Sequence, residues 1–198
     1  MKVLVVVDMQ YDFIDGALGT PEAQAIIPKV ADTIRNTGDD TVIIFTKDTH
    51  EENYMNTLEG AKLPVPHCIK STHGWNLHDD VCLAYGDVYG KVIHMDDLIP
   101  VEFYGQQDEV SSSIITKPTF GSVAFQNVLY ALDDAQKIDE ITFMGLCTGI
   151  CVMSNAIMAK ATLPEVEVNV VADCCACVTP ESHKTALEAM KLCQINII

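Results

Sequence analysis

The sequence predicts an α/β fold with a mainly parallel sheet, and two observations point there. Short apolar runs alternate with amphipathic segments of helical length along the chain. The available core is large and aliphatic, since 48% of the 198 residues are hydrophobic but only 7% aromatic. A chain of this length buries roughly 70% of the surface its unfolded state exposes, so it needs neither disulfides nor a metal to fold. At about 100–200 residues per domain, it reads as one domain over residues 1–198.

Five strands are legible: Val3–Val7, Thr41–Thr46, Ser113–Thr116, Ile141–Gly145 and Val166–Ala172, with Lys91–His94 a further short candidate. The first belongs to an opening apolar run that stops at Asp8. That run is far shorter than the ~18 residues of a membrane span and reads as a buried strand. Pro21–Asn36 is a helix, with Thr20 as its cap, Pro21 in its first turn and Ala25, Ile26, Val30 and Ile34 at helical spacing. Ser122–Ala135 and Ile150–Ala161 follow, and Thr179-Pro180 opens a last helix whose apolar face uses Ala186, Met190 and Cys193. Residues 47–90 break the rhythm. They hold four of the six histidines, and a long irregular stretch inside a compact domain is usually functional.

Charge narrows the partners. Twelve Lys and Arg against 28 Asp and Glu give a net charge of −16. Such a surface repels phosphate backbones and anionic headgroups, so neither nucleic acid nor a membrane is the expected partner. No export signal precedes the first strand, so a cytoplasmic location and eight reduced cysteines are expected. Enzymes of this size often form symmetric assemblies, and a homo-oligomer is expected too.

Ligands of an open parallel sheet bind outside the carboxyl ends of its strands. There the chain delivers Asp8, the Lys47-Asp48-Thr49-His50 segment, Lys117 and Gly145-Leu146-Cys147-Thr148. Cys151 follows at the start of a helix, where free N–H groups favour a thiolate and can hold an oxyanion. Asp8 can take the thiol proton as general base, and Lys117 can hold that carboxylate. On position alone, Cys151 is equally a small buried residue, as most cysteines are.

A second cluster is Asp48-Thr49-His50. In extended chain, residues two apart share a side, so carboxylate and imidazole can grip one ion. Glu59 and His67 lie further along the irregular stretch. Two histidines and two carboxylates suit zinc, manganese or iron(II) rather than calcium. The alternative is a pair of solvated histidines on a polar loop.

Taken together, these segments resemble the nicotinamidase branch of the isochorismatase-like cysteine hydrolases. Val7-Asp8-Met9-Gln10-Tyr11-Asp12-Phe13 is similar to the family's first-strand motif. Lys117, followed by Pro118, Phe120 and Ser122, is similar to the lysine segment. Gly145-Leu146-Cys147-Thr148-Gly149-Ile150-Cys151-Val152 resembles Gly-x-x-Thr-Asp-x-Cys-Val. The resemblance implies a six-stranded parallel sheet with helices on both faces. It implies a catalytic triad of Asp8, Lys117 and Cys151, a cis peptide before Cys147, and an oxyanion hole from the Cys147 and Cys151 amides. One divalent metal, zinc before manganese or iron, would be held by Asp48, His50 and His67, with Glu59 as the fourth ligand. Phe13 matches a ring-packing position of the substrate pocket.

The implied reaction is attack of the cysteine on a carboxamide such as nicotinamide, release of ammonia, and hydrolysis of a thioester. Another small amide, a ureido compound, or a catalytically silent binding protein on the same fold are the competing readings. Two departures stand out. Gly149 replaces the motif aspartate, and Pro64-Val65-Pro66-His67 lacks the usual tryptophan, leaving Trp75 and Tyr54 as replacements. Cys174, Cys175 and Cys177 read as packing at a strand end, and Met144, Met153, Met158 and Met190 as core. His73 and His78 read as surface residues, while His94 and His183 have no evident partner.

Overall fold

A computed structural model describes residues 1–100 and 108–198. Its centre is β1 (Lys2–Val7), whose valines 5, 6 and 7 are wholly buried. Burial of successive residues means both faces are covered, as a parallel sheet requires. β2 (Thr41–Asp48) is buried along its full length beside it. The other strands are β3 (Glu109–Ser111), β4 (Ile114–Lys117), β5 (Glu140–Leu146), β6 (Glu167–Ala176) and β7 (Asn196–Ile197). They form one sheet in the order β3-β4-β2-β1-β5-β6-β7, parallel except for the β3–β4 pair.

The helices are α1 (Tyr11–Ile14), α2 (Pro21–Arg35), α3 (Leu58–Lys62), α4 (Asp79–Val88), α5 (Met95–Leu98), α6 (Val123–Ala135), α7 (Met153–Thr162) and α8 (Pro180–Leu192). Side-chain caps fix five of their starts, those of α2, α3, α4, α6 and α8. Thr20 accepts from the Ala23 amide at 3.0 Å, Ser122 from Phe125 at 3.0 Å, and Thr179 forms a capping box with Ser182. α2 packs on α4 and against β5 and β6, while α6 packs on α7. No helix among the described residues is long and apolar enough to cross a membrane.

The structure alters the sequence reading in several places. The sheet has seven strands rather than six, because a short antiparallel edge (β3) and a two-residue strand (β7) cap its two sides. Lys91–His94 is not a strand, since only Ile93 bridges to Val42. The stretch 47–90 is less irregular than expected and contains the ten-residue helix α4. β6 runs to Ala176, so Cys174 and Cys175 lie within the strand rather than beyond it. Cys193 is exposed at the end of α8 instead of packing beneath it.

The chain leaves β1 for β2 on one side and reaches β5 on the other, so the crevice at the end of β1 is the topological switch point. Register brings the strand ends there together: Val7 lies opposite Thr46 and Gly145, and Asp48 opposite Lys117. Gly145 has φ +118, and a Cβ there would overlap the Val7 carbonyl, so only glycine lets β5 approach.

Candidate functional site

Asp8 follows the last residue of β1 with φ +48 and is completely buried. Its Oδ1 accepts from Thr46 Oγ1 at 2.6 Å and its Oδ2 from Lys117 Nζ at 2.7 Å. Lys117, equally buried at the end of β4, also points Nζ at Cys151 Sγ, 3.6 Å away. Three strand connections thus place carboxylate, ammonium and thiol in direct contact. Burial lifts the Asp8 carboxyl above its ordinary range, with Lys117 opposing and Asp48 adding to the rise. Burial alone would discharge Lys117, but the Asp8 carboxylate first, with Cys151 and Asp48 beside it, outweighs that and holds the ammonium charged.

Cys151 lies within a π-helical turn, Thr148–Val152, just before α7. Its thiol is not acidified as a helix start alone suggests. Burial pushes its pKa well above the ordinary value despite Lys117, and the nearby Asp8 carboxylate adds to the rise. Proton transfer to a neighbour, rather than a standing thiolate, is the chemistry this geometry favours. The Leu146–Cys147 peptide is cis, as the resemblance implies. The Cys147 carbonyl takes the amides of Ile150 (3.0 Å) and Val152 (3.2 Å) and passes over that of Cys151. Asn155 braces the turn by donating to the Cys151 carbonyl at 2.8 Å and accepting from the Ser122 amide at 3.0 Å.

Asp48, His50, Glu59 and His67 converge as expected, with one ligand atom from each within 4.8 Å of the others. Asp48 Oδ2 lies 3.1 Å from His50 Nε2 and 3.4 Å from His67 Nε2, and Glu59 Oε1 lies 3.7 and 3.9 Å from the same nitrogens. His67 turns Nδ1 to the Val65 carbonyl at 2.8 Å, which leaves Nε2 facing the cluster. Asp48 Oδ1 is the buried side-chain oxygen without a hydrogen-bond partner among the described residues. That oxygen faces the Lys117 ammonium 3.8 Å away, while Oδ2, with two imidazole nitrogens and a second carboxylate, makes a donor set that fits a divalent cation of the zinc, manganese or iron(II) kind. The donor set does not suit calcium, which takes six to eight oxygens.

Both clusters open on one cavity of about 210 Å³. Cys147 and Cys151 line one end, Asp48, Glu59 and His67 the other, and Phe13, Leu146 and Ile150 part of the apolar wall between. Its volume is below the roughly 300 Å³ at which pockets for drug-sized ligands begin, so it suits a single ring with a small substituent. Phe13 stands with its ring centroid 5.5 Å from that of His67. Neither residue suggested for the missing tryptophan lines the cavity. Trp75 donates to Thr49 Oγ1 at 2.8 Å with Lys47 Nζ over its ring, and Tyr54 is buried, donating to the Leu63 carbonyl at 2.9 Å. Leu63 and Phe120 are among the residues that do line its wall.

Sequence reasoning missed three supports. Buried Gln10 accepts from the Asp48 amide at 2.8 Å and donates to the Asp48 and Trp75 carbonyls, each at 2.9 Å, so it clamps the cluster strand to its loop. Asp12 accepts from the Cys68 amide at 2.7 Å and fixes the loop behind His67. His183, without a partner on sequence, is hydrogen-bonded to Thr148 at 2.7 Å. Gln10 and Asp12 sit in the first motif, where polar residues beside a buried strand were the available signal. His183 lies 35 residues from its partner and carried none.

The isochorismatase domain family matches residues 2–89 and 102–198. The chain belongs to the isochorismatase family. It is similar to the nicotinamidase of Saccharomyces cerevisiae, 25% identical over 187 residues, covering 80% of this chain and 81% of that protein. Among solved structures, it resembles the pyrazinamidase/nicotinamidase of Streptococcus mutans, with TM-score 0.76, 26% identity and full coverage of both chains. It also resembles the pyrazinamidase of Pyrococcus horikoshii in complex with zinc, with TM-score 0.70 and 28% identity, covering 100% of this chain and 98% of that one.

Proposed function

We propose that this isochorismatase-family chain is a metal-dependent cysteine amidohydrolase, one domain over its whole length, that releases ammonia from nicotinamide or a close aromatic amide. The observation that carries the reading is the shared cavity, lined by Cys151 of the Asp8–Lys117–Cys151 contact set and by Asp48, Glu59 and His67 of the four-donor cluster. Nicotinamidases from yeast and from Streptococcus mutans among its relatives support the substrate class.

In the proposed reaction the Cys151 thiol gives its proton to the Asp8 carboxylate as sulfur attacks the amide carbon. The amides of Cys147 and Cys151 receive the developing oxyanion. Lys117 keeps the carboxylate oriented and offsets negative charge at the sulfur. As the C–N bond breaks, Asp8 returns the proton to the leaving nitrogen and ammonia departs, leaving an acyl group on sulfur. Water then attacks the thioester, with Asp8 again taking a proton, and yields the carboxylic acid and free thiol. Asp48, His50, Glu59 and His67 would hold the cation, which when bound supplies a Lewis-acid contact for a ring nitrogen and ordered water. Phe13 packs against the ring. Its −16 charge favours a small-molecule substrate over nucleic acid or a membrane surface, and a cytoplasmic homo-oligomer remains part of the proposal.

The test is ammonia release from nicotinamide by zinc-loaded protein beside Cys151→Ala. We expect steady turnover in the parent and a loss of about 10⁴-fold or more in the variant, with zinc content and folding unchanged. Full activity in the variant would overturn the mechanism. An inactive parent toward nicotinamide that hydrolyses another amide would overturn the substrate only.

A further inference from the structure

We infer that His183 is a positioning residue for the nucleophile turn, holding Thr148 and through it the backbone between Cys147 and Cys151. The inference rests on the reading of Cys151 as nucleophile.

Thr148 is completely buried between the two cysteines whose amides are assigned to the oxyanion. Unlike the starts of α2, α6 and α8, the turn Thr148–Val152 has no side-chain cap, its entry residue being Cys147. Beside the Asn155 brace on the Cys151 carbonyl, the side chain that holds Thr148 comes from α8, with Thr148 Oγ1 and His183 Nδ1 2.7 Å apart. α8 approaches this closely because position 149 is glycine. A Cβ there would meet Ala186 Cβ at 3.1 Å and Cys177 Sγ at 3.5 Å. The departure from the family motif is thus matched by close helix packing and an imidazole bond.

The ring is half-buried, and burial favours its neutral form against the opposing charge of Asp173. A neutral ring offers Nδ1 as acceptor for the Thr148 hydroxyl, and Glu22 of α2 lines the same recess as the ring. Held this way, Thr148 cannot rotate, and the two oxyanion amides on either side keep their spacing. Small displacements at reacting atoms cost rate steeply. Ring binding depends on Phe13 and the donor cluster, which His183 does not touch, so the loss should fall on kcat.

The experiment compares His183→Leu, Thr148→Val, their double variant and His183→Asn in zinc-loaded protein. Two readouts are nicotinamide kinetics and mass-spectrometric rates of iodoacetamide alkylation at Cys151, which need no substrate. We expect His183→Leu and Thr148→Val each to lower kcat by about 10- to 100-fold, with KM changed less than about twofold. The double variant should be no worse than either single, and His183→Asn, whose amide reaches the Nδ1 position, should recover most of the loss. Cys151 alkylation should shift from the parent rate in His183→Leu and return in His183→Asn. Parent-like kcat in His183→Leu, losses that multiply in the double variant, or an Asn variant as impaired as Leu would each overturn the inference. If His183→Leu does not fold, the near-isosteric Thr148→Val carries the same test. A parent that hydrolyses no amide defeats the nucleophile reading, and alkylation then judges His183 alone.

Discussion

The two ends of the cavity are built differently. The cysteine end takes Asp8, Lys117 and Cys151 from strand ends and the turn after β5, all buried, and its register is set by the sheet itself. The imidazole–carboxylate end has only Asp48 in a strand. His50 follows just beyond it, His67 hangs on a loop tied by Asp12, and Glu59 lies in the first turn of the short helix α3 with its side chain 21% exposed. One end is held by folding; the other gathers four donors, two of them carboxylates whose mutual repulsion a cation would relieve. The contrast teaches that chemistry at the first end should survive loss of the ion as geometry, while the second end should loosen.

The largest effect should come from removing a partner inside the cysteine end. Asp8→Asn leaves the buried Lys117 ammonium without its 2.7 Å counter-ion. We expect a stability loss of about 3–5 kcal/mol in urea unfolding and a loss of ammonia release of about 10³-fold or more. A variant as stable as the parent would dissolve the distinction between the two ends.

A smaller effect should follow from the other end. With the cation at a hundredfold excess over its dissociation constant, binding adds about 2.7 kcal/mol of stability. Chelation should therefore lower the unfolding midpoint, and Glu59→Gln should weaken metal binding by about 10- to 100-fold while leaving the chelated protein as stable as the parent. Calorimetry with and without a chelator checks both statements. A chelated parent with an unchanged midpoint would mean that the donor cluster holds no ion in solution.

The smallest effect concerns pH. His183 has its pKa lowered from 6.5 by burial, so the unfolded chain takes up its proton first as pH falls. Its contribution is present above about pH 6.5 and is lost below it. His183→Asn should flatten the acid limb of the stability profile slightly, and an unchanged limb would remove His183 from that limb.

The contrast also explains what the sequence disclosed. Residues that end buried strands were legible because an apolar run stopping at Asp8, or at Lys117, announces both the strand and its functional tip. The four-donor set was legible in residue type, yet helix α4 inside 47–90 was not. Its ten residues carry three acidic groups and two glycine- or alanine-sized gaps, so its apolar stripe is thin. The two extra edge strands were hidden because strands of two or three residues have no periodicity to read. Gln10 and His183 act across 38 and 35 residues, and such pairings are written in the packing of helices on the sheet. The upward shift of the Cys151 pKa was not legible for a related reason. Helix position is visible in a sequence, but the burial that outweighs it is not.

The most direct test of the claim that both ends serve one substrate is protection of Cys151. Zinc-loaded and chelated Asp8→Asn protein, slow enough to hold its ligand, would be alkylated with iodoacetamide with and without nicotinamide, and Cys151 followed by peptide mass spectrometry. The account predicts strong protection by nicotinamide in the zinc-loaded protein and little in the chelated one. Equal modification of Cys151 with and without nicotinamide, in protein shown to contain zinc, would contradict it.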